Sequence, residues 1–280
     1  MNPELATDAL GDACRACGNP AEPHQRIPIR GVEVVLHRCV RCGLFQFPNP
    51  DWLDAAYADP ISEIDTGLPA RCFHVARTAE ALIRAQGLGD RQQLDYGGGY
   101  GLLTRLMRDR GLDMRHHDPF ARNLFAQGFE GDPAGSFGAV TMVEVFEHLT
   151  EPLPLLRSLS SHAEMVIVST QLVPAGLTDL SRWWYLIPDL GQHITFYTRP
   201  SLVELAGRSG YRVATDGVGL HVFYRGRLAR LARLVLRDAR SAGMIARALR
   251  LRAGARSLSA VDAPAALASL SERTHRATED

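Results

Sequence analysis

The sequence predicts an α/β fold: a mostly parallel sheet with helices on both faces, preceded by a small metal-binding module. Three observations predict it. Between residues 71 and 170, helical spacing of apolar residues alternates with short apolar or β-branched runs, the pattern of chained βα units. The run Leu94-Asp95-Tyr96-Gly97-Gly98-Gly99-Tyr100-Gly101 joins the first such strand to a leucine-rich segment. Four of the five cysteines stand as two C-x-x-C pairs near the amino terminus.

Length and composition bound the answer. A chain of 280 residues holds one large domain, or one domain and a small module. Net charge is zero, so the molecule as a whole does not call for a polyanionic partner. Every basic residue is arginine. No apolar run reaches the roughly 18 residues of a membrane span. Met1 to Asp12 is acidic and has no apolar core, so it does not read as a signal peptide. A cytoplasmic, reducing compartment is the expectation.

Residues 1–50 read as a zinc ribbon. Cys14, Cys17, Cys39 and Cys42 have the spacing of a tetrahedral four-thiolate site. Glycine follows each second cysteine, at Gly18 and Gly43, and allows the tight turn that aims both sulfurs at one ion. Four thiolates leave no open position for a reacting water, so the expected zinc is structural. A redox pair or unpaired thiols are the competing readings. Ile27 to Ile29 and Val32 to Cys39 are expected strands, and so short a segment depends on metal for folding. His24 and His37 are spare ligand candidates or surface residues. Cys72 stands alone and reads as a buried thiol. Phe45 to Pro50 is a proline-marked linker, and Asp51 to Ala58 a short helix.

Residues 51–225 form the main domain. Helices are expected over Arg71 to Gln86, Leu102 to Arg110, Ala121 to Gln127, Leu153 to Leu159 and Pro200 to Ser209, the last capped by Thr198 or Ser201. Strands are expected over Gln92 to Tyr96, Leu112 to His117, Phe137 to Val143 and Met165 to Thr170. Residues 171–198 lack periodicity but carry Trp183, Trp184 and Tyr185, as binding loops and lids do.

Ligands of such sheets sit outside the carboxyl ends of the strands, and the polar residues cluster there. Gly97, Gly99 and Gly101 give G-x-G-x-G, not the G-x-G-x-x-G of dinucleotide folds. Asp95, two residues upstream, would repel a pyrophosphate and attract the α-amino group of S-adenosylmethionine. Asp118 lies 23 residues further on and suits two ribose hydroxyls, or simply an Asp-Pro turn. The Asp132 carboxylate suits the adenine amino group. Glu144 suits the methionine part of the cofactor or the acceptor. Glu147 suits the start of the next helix. His148 and His193 are each a base or a loop-holding histidine.

Together these residues resemble a known family. Asp95-x-Gly97-x-Gly99-x-Gly101, Asp118, Glu144-Val145-Phe146-Glu147-His148 and Gln192-His193-Ile194-Thr195-Phe196 resemble class I S-adenosylmethionine-dependent methyltransferases over about residues 70–225. The likeness is to the ubiquinone-biosynthesis-like branch, whose members act on small molecules. The cysteine pairs, with Gly43-Leu44-Phe45 and Pro48-Asn49-Pro50, are similar to the zinc-binding front end of deoxysugar C-methyltransferases and of methyltransferases from polysaccharide and natural-product clusters. The resemblance implies a Rossmann-like class I methyltransferase sheet, with S-adenosylmethionine and structural Zn2+ as cofactors. Asp95, Gly97, Gly99, Gly101, Asp118, Asp132 and Glu144 would then face the cofactor. Tyr185, Gln192 and Tyr197 would face a small-molecule acceptor, with His193 as base and His148 as second candidate. Gln192 stands where the sugar C-methyltransferases carry glutamate, and their additional carboxy-terminal domain has no counterpart. Both differences favour O- or N-methylation, and a sugar or natural-product hydroxyl is the expected acceptor.

Residues 226–280 form a basic tail. Ten arginines and one acid, Asp238, fall between Arg225 and Arg256, with leucines among them. One or two amphipathic helices are expected, covering their own domain, forming a homodimer, touching an anionic membrane surface or binding RNA. The stretch after Ala260 reads as partly disordered. Competing functions are an RNA methyltransferase, a non-catalytic cofactor-binding protein and a dehydrogenase. Zero net charge and the aromatic lid argue against RNA.

Overall fold

The structure, a computed structural model, describes residues 13–57, 65–264 and 267. The acidic stretch before Ala13 and most of the stretch after Ala260 lie outside the described residues. Strands β1 (Ala21–Ile29) and β2 (Val32–Cys39) form an antiparallel hairpin. Its two turn residues, Arg30 and Gly31, both have positive φ, as a tight two-residue hairpin turn demands. Next come β3 (Phe45–Gln46), the single-turn helix α1 (Leu53–Ala56) and α2 (Leu68–Ala85). Helix α2 buries Val75, Ala79, Leu82 and Ile83, the stripe its spacing predicts. Then follow β4 (Gln93–Tyr96), α3 (Leu102–Arg108), β5 (Met114–His117), β6 (Phe137–Val143), α4 (Pro152–His162) and β7 (Ala163–Ser169). The remainder is β8 (Thr195–Phe196), α5 (Arg199–Ser209), β9 (Arg212–Thr215), β10 (Leu220–Tyr224), α6 (Arg230–Arg237) and α7 (Ala239–Arg252).

The chain gathers into two compact units. The first comprises Met1–Asp59, Glu144–Ser160 and Ser169–His221; the second Pro60–Val143, Ser161–Val168 and Val222–Asp280. The cysteine module and the lid therefore share one unit.

In the first unit the sheet runs β1-β2-β3-β8. Phe45 and Gln46, read as linker, are a strand that pairs with Phe196 and Thr195 of the lid. One apolar core joins Ile27, Ile29, Leu36, Phe45 and Phe47 to Leu180, Trp183, Tyr185, Ile194 and Phe196. The module thus borrows its core from the lid, and metal is not its sole support. Arg15, between the first two cysteines, donates to the carbonyls of Phe47 and Ile194 and to the Thr195 hydroxyl. Thr198 caps α5, reciprocally with Ser201.

Most of the six-stranded sheet, order β5-β4-β6-β7-β10-β9, falls in the second unit, with β4 parallel to both β5 and β6. Residues Met165 to Val168 of β7 are all buried, the unbroken apolar run of a strand covered on both faces. A rudimentary strand lies between β5 and β6 in sequence: Glu130 bridges His116 in parallel, and nothing longer forms. The helix expected over Ala121 to Gln127 is absent. The Tyr100 carbonyl accepts from the amides of Leu124 and Phe125, and the Asn123 side chain accepts from Ala126. Those amides are lost to helical bonding. Cys72 is half-buried, not fully enclosed.

The tail packs on its own unit. Helix α7 lies against α2. There Arg250 donates twice to Glu80, a fully buried carboxylate that also accepts from Arg84. Arg108 holds Asp262 through two parallel bonds of 2.8 Å. No described helix is long and apolar enough to cross a membrane. Replacing Arg250 with alanine withdraws one of the partners that Glu80 needs in a dry site. Arg250 is itself partly exposed, so the expected loss is about 1–3 kcal/mol of unfolding free energy. An unchanged urea midpoint would show that the contact contributes nothing.

Candidate active site

Strand β4 ends in the glycine turn, where Gly97, Gly99 and Gly101 have φ of 68°, 57° and 82°. The left-handed region admits glycine freely and other residues at a cost. A Cβ on Gly98 would lie 2.8 Å from Asp95 Oδ2. Beneath the turn Asp95 is buried, and its carboxylate accepts from Thr104 Oγ1 at 2.9 Å and Thr141 Oγ1 at 2.8 Å. Burial raises its pKa, against the pull of the two hydroxyls. The carboxylate faces inward and braces the turn, with one oxygen on each hydroxyl. His116 does the same from β5, with Nε2 donating to the Gly99 carbonyl at 3.0 Å. Asp118, half-buried at the end of β5, accepts from the Gly99 amide at 2.8 Å and from the amides of Phe120 and Ala121. Asp132 is exposed and accepts from Ala134 within its own turn.

Strand β6 ends at Val143, and the first unit resumes at Glu144, which has a strained φ of 53°. Glu147 lies in a short 3-10 turn, Phe146–His148, well before α4. It is not a helix-start carboxylate, as its position in the sequence suggested, but a buried member of a cluster. The Tyr185 hydroxyl lies between two carboxylates, 2.5 Å from Glu147 Oε1 and 3.0 Å from Glu144 Oε2. Ser169 donates to the other oxygen of Glu144. His193 Nε2 is 4.0 Å from Glu147 Oε1, and its Nδ1 is 2.6 Å from the Tyr185 carbonyl. The His148 ring stands edge-on to His193, with centroids 4.8 Å apart, and its Nδ1 donates to the Gln192 carbonyl. Burial, and then the neighbouring His193, push the His148 pKa down to about 3.

The three residues expected to face an acceptor are all buried and hydrogen-bonded within the protein. Tyr197 is fully buried, and its hydroxyl donates to the Phe146 carbonyl, so it supports the loop. Gln192 is buried and donates to the Ala56 carbonyl. Tyr185 is buried and holds carboxylates. Thr104, Thr141 and His116 were missed, because a hydroxyl or ring reaching across strands leaves no mark in local spacing. A hollow of about 970 Å³ lies beside His24, Arg38, Phe45 and Trp184, but its lining includes none of Glu144, Glu147, His148 and His193.

Cys14, Cys17, Cys39 and Cys42 are all buried, with their sulfurs within 4.8 Å of one another. The closer pairs are 3.5 Å (Cys14–Cys42) and 3.4 Å (Cys17–Cys39) apart. Sulfurs around a zinc with bonds of about 2.3 Å lie roughly 3.8 Å apart, so the set fits that ion. The hydrogen bond from Cys42 lowers the Cys14 pKa to about 5, and the same bond, with burial, raises that of Cys42. His24 and His37 stand outside the cluster, bonded to the carbonyls of Thr178 and Ala21.

An acid-led glycine turn after one parallel strand, with an acid ending its neighbour, defines a Rossmann-like cofactor domain of the S-adenosylmethionine-dependent methyltransferase class. Residues 73–215, about half of the chain, match the family described as "Methyltransferase domain", and the chain belongs to that family. No curated protein matches the sequence. Among solved structures it is similar to magnesium protoporphyrin IX methyltransferase from Synechocystis PCC 6803, with 18% identity over 63% of this chain and 94% of that one and a TM-score of 0.43. It is also similar to a methyltransferase in calicheamicin biosynthesis, with 17% identity over 61% of this chain and a TM-score of 0.39. The chain spans about 60% of that protein's length. A third is an O-methyltransferase family 2 protein from Planctomyces limnophilus DSM 3776 in complex with apigenin, with 14% identity over 61% and 66% of the two chains and a TM-score of 0.43.

The brace under the turn is testable. Replacing Thr141 with valine removes a donor from a buried carboxylate, at an expected cost of about 1–3 kcal/mol in unfolding free energy. Calorimetric titration with S-adenosylhomocysteine should show weaker binding in the same variant. Equal affinity would mean that Asp95 does not set the shape of the turn.

Proposed function

We propose that this protein transfers a methyl group from S-adenosylmethionine to a hydroxyl of a small molecule, such as a sugar or natural product. The observation that carries the reading is the His193 ring. Its Nδ1 faces the Tyr185 carbonyl, which can only accept, so Nδ1 bears the proton and Nε2 is the basic nitrogen. Glu147 lies 4.0 Å from that nitrogen. A hydroxyl proton passing to Nε2 creates an imidazolium beside a carboxylate, which favours the transfer.

The remaining assignments follow from chemistry. S-adenosylmethionine, when bound, supplies a methyl on a sulfonium; the carbon–sulfur bond breaks as the carbon–oxygen bond forms, and its electron pair stays on sulfur. The glycine turn from Gly97 to Gly101 would hold it, with Asp118 on the ribose diol and Asp132 toward the adenine. Asp118 already accepts from the amides of Gly99, Phe120 and Ala121, so it is Oδ2, with one acceptor site beyond the bond to Gly99, that would meet a ribose hydroxyl. Glu144 would act from the strand end, held by Ser169 and Tyr185. Against an RNA acceptor stand the zero net charge and the commitment of tail Arg250 to Glu80. Zinc at the four cysteines would neutralise buried thiolates and tie the hairpin to the turn at Cys42, whose carbonyl accepts from Thr198.

Two measurements test this. With cofactor saturating, His193→Ala should lower turnover by about 10²–10⁴-fold against a hydroxyl acceptor. Near-normal turnover would remove His193 from the role of base. Elemental analysis should find one zinc per chain, lost in Cys39→Ser together with several degrees of melting temperature. A zinc-free wild-type protein of unchanged stability would rule the metal out.

A further inference from the structure

We propose that Glu147, His148 and His193 form a binding site for one divalent first-row cation, distinct from the four-cysteine cluster. One ligand atom from each lies within 4.8 Å of the other two. Neighbouring ligands around an ion with bonds of about 2.1 Å lie roughly 3.0–3.4 Å apart, so an inward shift of about 1 Å closes the set. Two imidazoles and a carboxylate are the donors that zinc, manganese, cobalt and ferrous iron accept, and three protein ligands leave positions open for a substrate oxygen.

The orientation of the rings is the stronger argument. His148 Nδ1 is 3.0 Å from the Gln192 carbonyl, and His193 Nδ1 is 2.6 Å from the Tyr185 carbonyl. Each carbonyl can only accept, so each neutral ring carries its proton on Nδ1 and its lone pair on Nε2. A backbone carbonyl that sets the tautomer and angle of a ligating imidazole is the usual support of a metal site. Glu147 has the same kind of support, 2.5 Å from the Tyr185 hydroxyl. The two segments are also tied at the backbone, where the Ile194 amide donates to the Glu147 carbonyl at 2.9 Å.

The consequence for chemistry rests on the methyltransferase reading. The two roles of His193 Nε2 exclude each other: it takes the acceptor proton in the ion-free protein and would ligate the cation in the loaded one. The ion would acidify an acceptor hydroxyl held at an open position, and solvent would take the proton. Ion binding itself does not depend on that reading.

The test is a manganese titration of the full, zinc-replete chain, followed by the electron paramagnetic resonance of free Mn2+. Manganese prefers oxygen and nitrogen donors, so the cysteine cluster does not compete. One bound ion per chain is expected, with affinity at least about tenfold weaker in Glu147→Gln and in His148→Ala. His148 is only half-buried, so His148→Ala gives a readout even if Glu147→Gln fails to fold. No binding at millimolar Mn2+, or equal binding in both variants, overturns the site. Calorimetry with S-adenosylhomocysteine separates the two ideas. Cofactor binding without manganese binding overturns the ion site alone; manganese binding without cofactor binding overturns the methyltransferase reading and leaves the ion site standing.

Discussion

Asp95 carries a carboxylate to a place that water does not reach, and the glycine turn above it depends on how that charge is met. An unsatisfied buried carboxylate is costly, so the turn persists only where hydroxyls arrive from other elements. Thr104 comes from α3 and Thr141 from β6. The strand register brings Thr141 opposite Asp95, so sheet pairing and turn shape are one constraint. His116 adds a bond from the other flanking strand.

The same rule orders the rest of the molecule. Arg15 is a guanidinium enclosed among backbone carbonyls of Phe47 and Ile194, and burial lowers its pKa to about 10. The cysteine hairpin and the lid strand are held together by that side chain and by their shared core. Glu80 binds α2 to the tail by the same logic, with arginine supplied from α7. Tyr185 serves two carboxylates with one hydroxyl, while its own backbone carbonyl orients His193. Buried ionisable groups thus decide which distant segments meet.

Much of the frame was legible. The cysteine spacing marked the four sulfurs that gather, and the alternation of helix and strand marked α2, β4, α3, β5, β6 and β7 to within a few residues. The failures have local causes. The helix expected over 121–127 gave way because the Tyr100 carbonyl and the Asn123 side chain captured its amides. Phe45 and Gln46 looked like linker because two residues carry no period; their partner, β8, lies far along the chain.

The sequence alone determined the class of fold, the cysteine cluster and the acid-led glycine turn, because each rests on residue types at short spacings that backbone geometry makes obligatory. Tertiary structure decided the roles of the acids. Asp95 and Glu147 look alike as carboxylates at strand ends. One is buried against hydroxyls beneath a turn; the other stands beside two imidazoles. What separates them is the set of partners supplied across strands and from the lid, and that set exists only once the chain has folded.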